Sequence, residues 1–281
     1  MVEGYMEYKI VMDSAGDLHA MNGANFACAP LKITAGDREY VDDAVADVKG
    51  MVAFLREYKG KASTACPSVG DYLEAFGDVD EVYCITITSN LSGSYNAAVV
   101  AAETWQEQHP QGKIHVFDTL SAGPEMTLLA EKVKSLLDEK KPFEVVVEEA
   151  KVYLTGTKLL FSLESLHNLV NNGRVPAPVA KLAGMLGLRL IGKASDHGTL
   201  QPTGKARGEK KVVPELMKHL ESMGYQGGKI RVHHCFNLAA AEELKKDVQE
   251  KYPSANVVIG TCGALCSFYA EYGGMLIGFE A

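Results

Sequence analysis

The sequence predicts an α/β protein of two domains, and three observations carry that expectation. Its 281 residues are long for one core. Its first half alternates short apolar runs with helical patterns, which argues a parallel sheet covered on both faces. After Lys140-Lys141-Pro142 the alternation breaks, and the second half mixes strands and helices less regularly. The expected division is 1–155 and 156–281.

In the first half, Tyr8–Met12, Val82–Thr88 and Ile114–Phe117 read as buried strands. Helices are expected at Val45–Tyr58, Val69–Phe76, Tyr95–Gln108 and Met126–Glu139. In the first of these, Val45, Val48, Val52 and Leu55 share one face at a helical period. Phe143–Thr155 is the expected crossover helix. Strands follow at Lys158–Leu163 and Arg189–Lys193, with a short edge strand at Leu200–Thr203 ahead of Gly204. A helix between them is expected near Pro178–Leu186. The chain then alternates again: helix Val212–Met223, strand Lys229–His234, helix Ala239–Lys251 and strand Asn256–Gly260.

Composition narrows the function classes. Hydrophobic residues make up 47% and charged residues 23%, an ordinary globular balance. A formal net charge of -8 and a single Trp argue against a nucleic-acid surface. No apolar run approaches a membrane span, and Met1-Val2-Glu3-Gly4-Tyr5 lacks the character of a signal peptide. Cys28, Cys66, Cys84, Cys235, Cys262 and Cys266 are scattered and read as free thiols in a reducing cytoplasm. Cys262 and Cys266 lack the spacing and companions of a zinc site. No metal or cofactor is expected.

The most informative stretch is Ser89-Asn90-Leu91-Ser92-Gly93-Ser94-Tyr95, between an expected strand and an expected helix. A turn of this kind leaves the helix's first N–H groups without internal partners. Those donors, the positive end of the helix dipole and two hydroxyls suit an anion's oxygens. The same residues would also serve as an ordinary cap. Asp13-Ser14 and Asp118-Thr119 fall at strand ends too, where ligands gather in such sheets.

These residues resemble the Ser-x-Leu-Ser-Gly-Thr/Ser-Tyr motif of the DegV family, fatty-acid-binding proteins that include the FakB carriers. The resemblance runs along nearly the whole chain. Lys9-Ile10-Val11-Met12-Asp13-Ser14 is similar to the family's opening strand and Asp-Ser turn. Thr64-Ala65-Cys66-Pro67-Ser68 is similar to its Thr-Ser-x-Pro-Ser element, with Ala65 for the usual Ser. Val116-Phe117-Asp118-Thr119 fits the next strand end. Leu166-His167-Asn168-Leu169 with Asn172-Gly173-Arg174-Val175 resembles Leu-x-x-Leu…Gly-Gly-Arg-Ile. Gly198-Thr199-Leu200 and Lys205-Ala206-Arg207-Gly208 resemble Asp-Gly-x-Leu and Lys-x-Arg-Gly. The resemblance implies a three-layer α/β/α N-terminal domain and a two-layer C-terminal domain with a mixed sheet. It implies a long-chain fatty acid bound between them, its carboxylate held by Thr64, Ser92 and the N–H groups of Gly93 and Ser94. A separate fatty acid kinase would phosphorylate that ligand, and Arg174 and Arg207 in a locally basic stretch would meet it. One departure stands out: in Gly260-Thr261-Cys262-Gly263-Ala264-Leu265-Cys266, Cys262 occupies the place of the family's head-group His, and its Gly-Pro-Gly is lost.

The rival reading is a hydrolase or transferase with a cysteine nucleophile, Cys262 or Cys66, and a base from His233-His234. Asp13 and Asp118 could form a catalytic carboxylate pair, although acids at strand ends more often hold loops. No Gly-x4-Gly-Lys-Ser/Thr loop is present, so phosphate transfer would belong to a partner.

Overall fold

The computed structural model describes residues 7–175, 179 and 188–281, so most of the helix expected near Pro178–Leu186 lies outside the described residues. Strands β1 (Tyr8–Asp13), β2 (Phe26–Ala29), β6 (Glu81–Thr86) and β7 (Lys113–Asp118) form a parallel sheet in the order β2-β1-β6-β7. Every residue of β6 is buried, as a central strand covered on both faces requires.

Helices α2 (Val69–Phe76) and α3 (Ser94–Gln108) cover one face, where Tyr72, Phe76 and Trp105 meet Val11, Val82 and Cys84. A capping box between Ser68 and Asp71 starts α2. The other face packs Ile10, Met12, Tyr83 and Ile85 against α4 (Pro124–Asp138) and α5 (Phe143–Thr155). The first unit therefore has three layers.

Several features depart from the sequence expectation, β2 among them. A small antiparallel sheet, β4-β3-β5, joins β3 (Lys32–Ala35), β4 (Arg38–Val41) and β5 (Ala62–Ala65). Helix α1 runs Val48–Glu57 and does not begin at Val45, which is 88% exposed. The Asp43 carboxylate takes the Val45 N–H at 3.0 Å, and Asp47 caps α1 by accepting the Gly50 N–H at 2.8 Å. Local carboxylates thus outcompete the apolar period.

The second sheet contains β8 (Thr157–Leu163), β9 (Leu188–Ala194), β10 (Leu200–Arg207), β11 (Lys229–His234), β12 (Asn256–Thr261) and β13 (Met275–Glu280). Its order is β10-β9-β8-β13-β11-β12, and it is mixed because only β11 and β12 pair in parallel. Helices α7 (Val212–Ser222) and α8 (Leu238–Lys251) cover one face. The short helices α6 (His167–Asn171) and α9 (Ala264–Ala270) lie toward the first unit.

Helix α4 packs against both sheets. Its first turn lies so close to β13 that a Cβ on Gly278 would sit 2.5 Å from the Glu125 nitrogen. Glycine is needed there for the backbones to approach. The buried Glu125 carboxylate then accepts the hydroxyl protons of Ser121 and Thr157, the latter at 2.7 Å, tying the two sheets together. Among the described residues no helix is long and apolar enough to cross a membrane.

Candidate functional site: an apolar cavity with a polar mouth

A cavity of about 340 Å³ lies between the two sheets, beside the segments that follow β6 and β7. Its walls are apolar: Leu159, Phe161 and Leu163 come from β8, Leu276 from β13, and Leu31, Leu169 and Leu265 from the surrounding segments. Polar groups on the lining include Thr64, Ser92, Gly93, Arg174 and Tyr269. Arg174 is the one charged side chain among the described lining residues, and none of them is a carboxylate.

The turn after β6 is held from below. The Thr88 carbonyl accepts from Leu91 at 3.2 Å and Ser92 at 3.3 Å, while the Thr88 hydroxyl oxygen accepts the Asn90 N–H at 3.2 Å. Asp118 accepts the N–H groups of Ser89 at 3.1 Å and Leu120 at 3.2 Å. Asp13 accepts those of Ile87 at 2.9 Å and Ala15 at 3.2 Å. Both acids hold loop backbone through these bonds. Neither lines the cavity, which speaks against a catalytic pair there.

The structure brings Thr64, Ser92 and Gly93 together on the cavity. Ser92 Oγ accepts the Ser94 N–H at 3.2 Å and shares a proton with Ser94 Oγ across 3.0 Å. The Ser94 N–H is therefore already engaged, and Ser94 is buried behind Ser92 without lining the cavity. Among the described residues no acceptor takes the Gly93 N–H, and Gly93, as the N-cap of α3, has no capping side chain of its own.

Arg174 reaches the same mouth. Its Nε donates to the Leu91 carbonyl at 3.1 Å and one Nη to the Asn172 carbonyl. Arg207 is exposed on β10, outside the lining, near the exposed Lys205, Lys210 and Lys211.

Cys262 is buried 4% exposed beside Cys235 and does not line the cavity. Two buried carboxylates hold the turn that follows it: Asp17 accepts the Gly263 N–H at 2.7 Å and Asp42 the Ala264 N–H at 2.6 Å. The thiol that lines the cavity is Cys266. Burial pushes Cys84, Cys262 and Cys266 well above the ordinary thiol range, so they are poor nucleophiles. His233 faces Asp17 at 2.9 Å, and burial lowers His234. No hydrogen bond joins either histidine to a thiol among the described residues.

Sequence reasoning misses Tyr269. Its hydroxyl lies 2.7 Å from Thr64 Oγ1, across 205 positions of chain. Burial raises the phenol, with the Thr64 hydrogen bond and the Arg174 charge opposing, so it stays a neutral donor. Its only local signal is a tyrosine within the apolar run Ala264–Ala270.

Cys66 is exposed and lines the mouth, so close to Gly93 that a Cβ there would sit 3.1 Å from its sulfur. Alkylation with iodoacetamide should label Cys66 first and leave Cys84, Cys262 and Cys266 unmodified in the folded protein, read by peptide mass spectrometry. Cavity ligands should slow the Cys66 reaction. Rapid labelling of Cys262 would contradict this placement.

The comparisons agree with this architecture. The DegV family model ("Uncharacterised protein, DegV family") matches residues 7–281. A DegV domain-containing protein of Streptococcus pneumoniae is 41% identical, over 98% of this chain and 99% of the relative. Two solved structures superpose at a TM-score of 0.95 and 41% identity, each covering 98% of this chain and 99% of its own. One is a DegV family protein from Eubacterium eligens loaded with heptadecanoic acid, and the other is the Streptococcus pneumoniae Fatty Acid Kinase B3 protein loaded with linoleic acid. A Thermotoga maritima protein described as having a fatty acid binding function matches at 26% identity and a TM-score of 0.85. By its family match, its close relatives and its cavity-bearing fold, the chain belongs to the DegV family.

Proposed function

We propose that this protein binds a long-chain fatty acid in the cavity and presents its carboxylate to a separate fatty acid kinase. The observation that carries this reading is the lining: mostly apolar walls, Arg174 as the one charged side chain among the described lining residues, and neutral hydroxyls that include Thr64, Tyr269 and Ser92. Such a surface suits an acyl chain with one anionic head. Tail burial supplies most of the affinity, at about 0.8 kcal/mol per methylene. A sixteen-carbon chain would gain on the order of 10 kcal/mol before the costs of association.

Thr64, Ser92, the Gly93 N–H and Tyr269 are the head-group donors in this reading, with Tyr269 supplying what the family's His would. The boundary falls near residue 155, between α5 and β8, so that the acyl pocket forms between 1–155 and 156–281. The protein acts as a cytoplasmic carrier and leaves the chemistry to its partner. The partner surface includes Arg174 at the rim and the exposed Arg207.

Protein purified from a bacterial host should carry close to one fatty acid per chain, visible by native mass spectrometry. A bare chain that also takes up no added oleate would refute the reading. Ser92→Ala and Tyr269→Phe should each weaken oleate binding by roughly tenfold to a hundredfold, since a hydrogen bond to a charged group is worth about 1.5–3 kcal/mol. Fluorescence titration at matched stability measures this. Unchanged affinity in either variant removes that hydroxyl from the site.

A further inference from the structure

Most hydroxyls on the cavity lining have partners of their own. Thr64 meets Tyr269 at 2.7 Å, Ser92 meets Ser94 at 3.0 Å, and Thr199 meets Ser195 at 2.9 Å. Thr88 and Ser121 also line the cavity, and each keeps part of its bonding capacity unused. Thr88 is 1% exposed, and its hydroxyl oxygen accepts the Asn90 N–H at 3.2 Å. Among the described residues no acceptor takes its proton. Ser121 is 3% exposed and donates its proton to the buried Glu125 carboxylate. Among the described residues no donor reaches its hydroxyl oxygen.

The two residues are neighbours. The Thr88 N–H donates to the Ser121 carbonyl at 2.9 Å, which sets the segments after β6 and β7 side by side. Gly198 lies against Thr88 from the β9–β10 hairpin, where a Cβ would come within 2.1 Å of the Thr88 hydroxyl oxygen. Glycine leaves that hydroxyl its place.

An unused proton beside an unused lone pair is the complement of one alcohol. An alcohol accepts from Thr88 and donates to Ser121. A carbonyl or ether oxygen can only accept, and a methylene does neither. A plain methylene chain pressed against the pair leaves both groups buried without a partner, which weakens its binding.

We propose that Thr88 and Ser121 form a second polar subsite in the acyl cavity, which takes an alcohol carried on the chain of a long-chain fatty acid. This deepens the fatty-acid reading above and rests on it. The ligand class is then a hydroxylated fatty acid, selected by where its hydroxyl falls along the chain. Against the leucines and Phe161 of the cavity wall an alcohol would give up its bonds to water and gain none. Position along the chain is therefore the signature of the subsite.

The test is a fluorescence-displacement titration of delipidated protein with monomeric stearate and with hydroxystearates that differ only in hydroxyl position. One isomer should bind at least about tenfold more tightly than the rest of the series, the scale of one or two hydrogen bonds. Its advantage over the other isomers, a ratio read within each protein, should collapse in Thr88→Val and in Ser121→Ala. The first substitution removes the donor and the second the acceptor, so either one that folds carries the test. A wild type that binds stearate and prefers no hydroxyl position overturns this proposal alone. A preference that survives both substitutions does the same. No binding of stearate or of any isomer overturns the fatty-acid reading and this proposal with it.

Discussion

Asp17→Ala should destabilise the protein by about 2–5 kcal/mol, because it leaves two buried hydrogen-bond partners unsatisfied at roughly 1–3 kcal/mol each. The Asp17 side chain is 0% exposed. It follows β1 in the left-handed conformation, at φ 57°, and reaches across to the second unit. There it accepts the Gly263 N–H at 2.7 Å and meets His233 Nδ1 at 2.9 Å. Alanine would leave both groups buried without a partner. The consequence extends to the cavity, because this turn leads directly into α9, which carries Leu265, Cys266 and Tyr269 to the lining. Urea unfolding of the delipidated protein measures the loss, and Asp17→Asn should recover part of it by restoring an acceptor for Gly263. A change in unfolding free energy below about 0.5 kcal/mol, the range of an ordinary surface substitution, would mean that the turn is held by other contacts.

Much of the fold is legible in the sequence where local and tertiary signals agree. β6 reads as a strand because its apolar run is also buried on both faces, and α2 announces itself with a capping box. β13 is not legible. Gly273-Gly274 precede it and Gly278 interrupts it, yet it lies in the middle of the second sheet between β8 and β11. Gly278 is there for the close approach of α4, a requirement set by a residue far away in sequence. β3, β4 and β5 are four residues each and gain their stability from one another and from α1. β10 extends past Gly204 to Arg207 because a register shift between Pro202 and Gly204 lets the edge strand continue.

The site divides in the same way. Ser92 and Gly93 are legible because a strand-to-helix turn declares its own free donors. Thr64 reaches the cavity as its motif implies. Cys262 stands at the motif position that resembles the family's histidine, but it lies in the core, just before a turn held by Asp17 and Asp42. Cys262→His should therefore bring a large ring into a packed cluster and lower stability rather than tighten binding. Tyr269 lies one helix further on, and only the folded chain sets it against Thr64.

Gly198→Ala should release a bound fatty acid at least about tenfold faster while leaving the protein folded. Gly198 is buried at the tip of the β9–β10 hairpin at φ 70°, where a side chain costs roughly 1–2 kcal/mol in backbone strain alone. Its Cβ would also meet the Thr88 hydroxyl oxygen at 2.1 Å and the Leu120 Cα at 2.9 Å, and the second of these is backbone that cannot turn aside. The hairpin must therefore lift. As it does, the 2.8 Å bond from Asn90 Nδ2 to the His197 carbonyl breaks, and with it a direct tie to the turn that presents Ser92. Gly198, Thr199 and Leu200 all line the cavity, so lifting them admits water to the acyl chain. Because β10 is an edge strand, the two main cores keep their packing and the fold survives. Transfer of a fluorescent fatty acid from the protein to acceptor vesicles, followed by stopped flow, gives the release rate. Asn90→Ala, which removes only the one hydrogen bond, should fall between wild type and Gly198→Ala. A wild-type release rate in Gly198→Ala would show that the acyl chain leaves by another route and that the hairpin is not its cover.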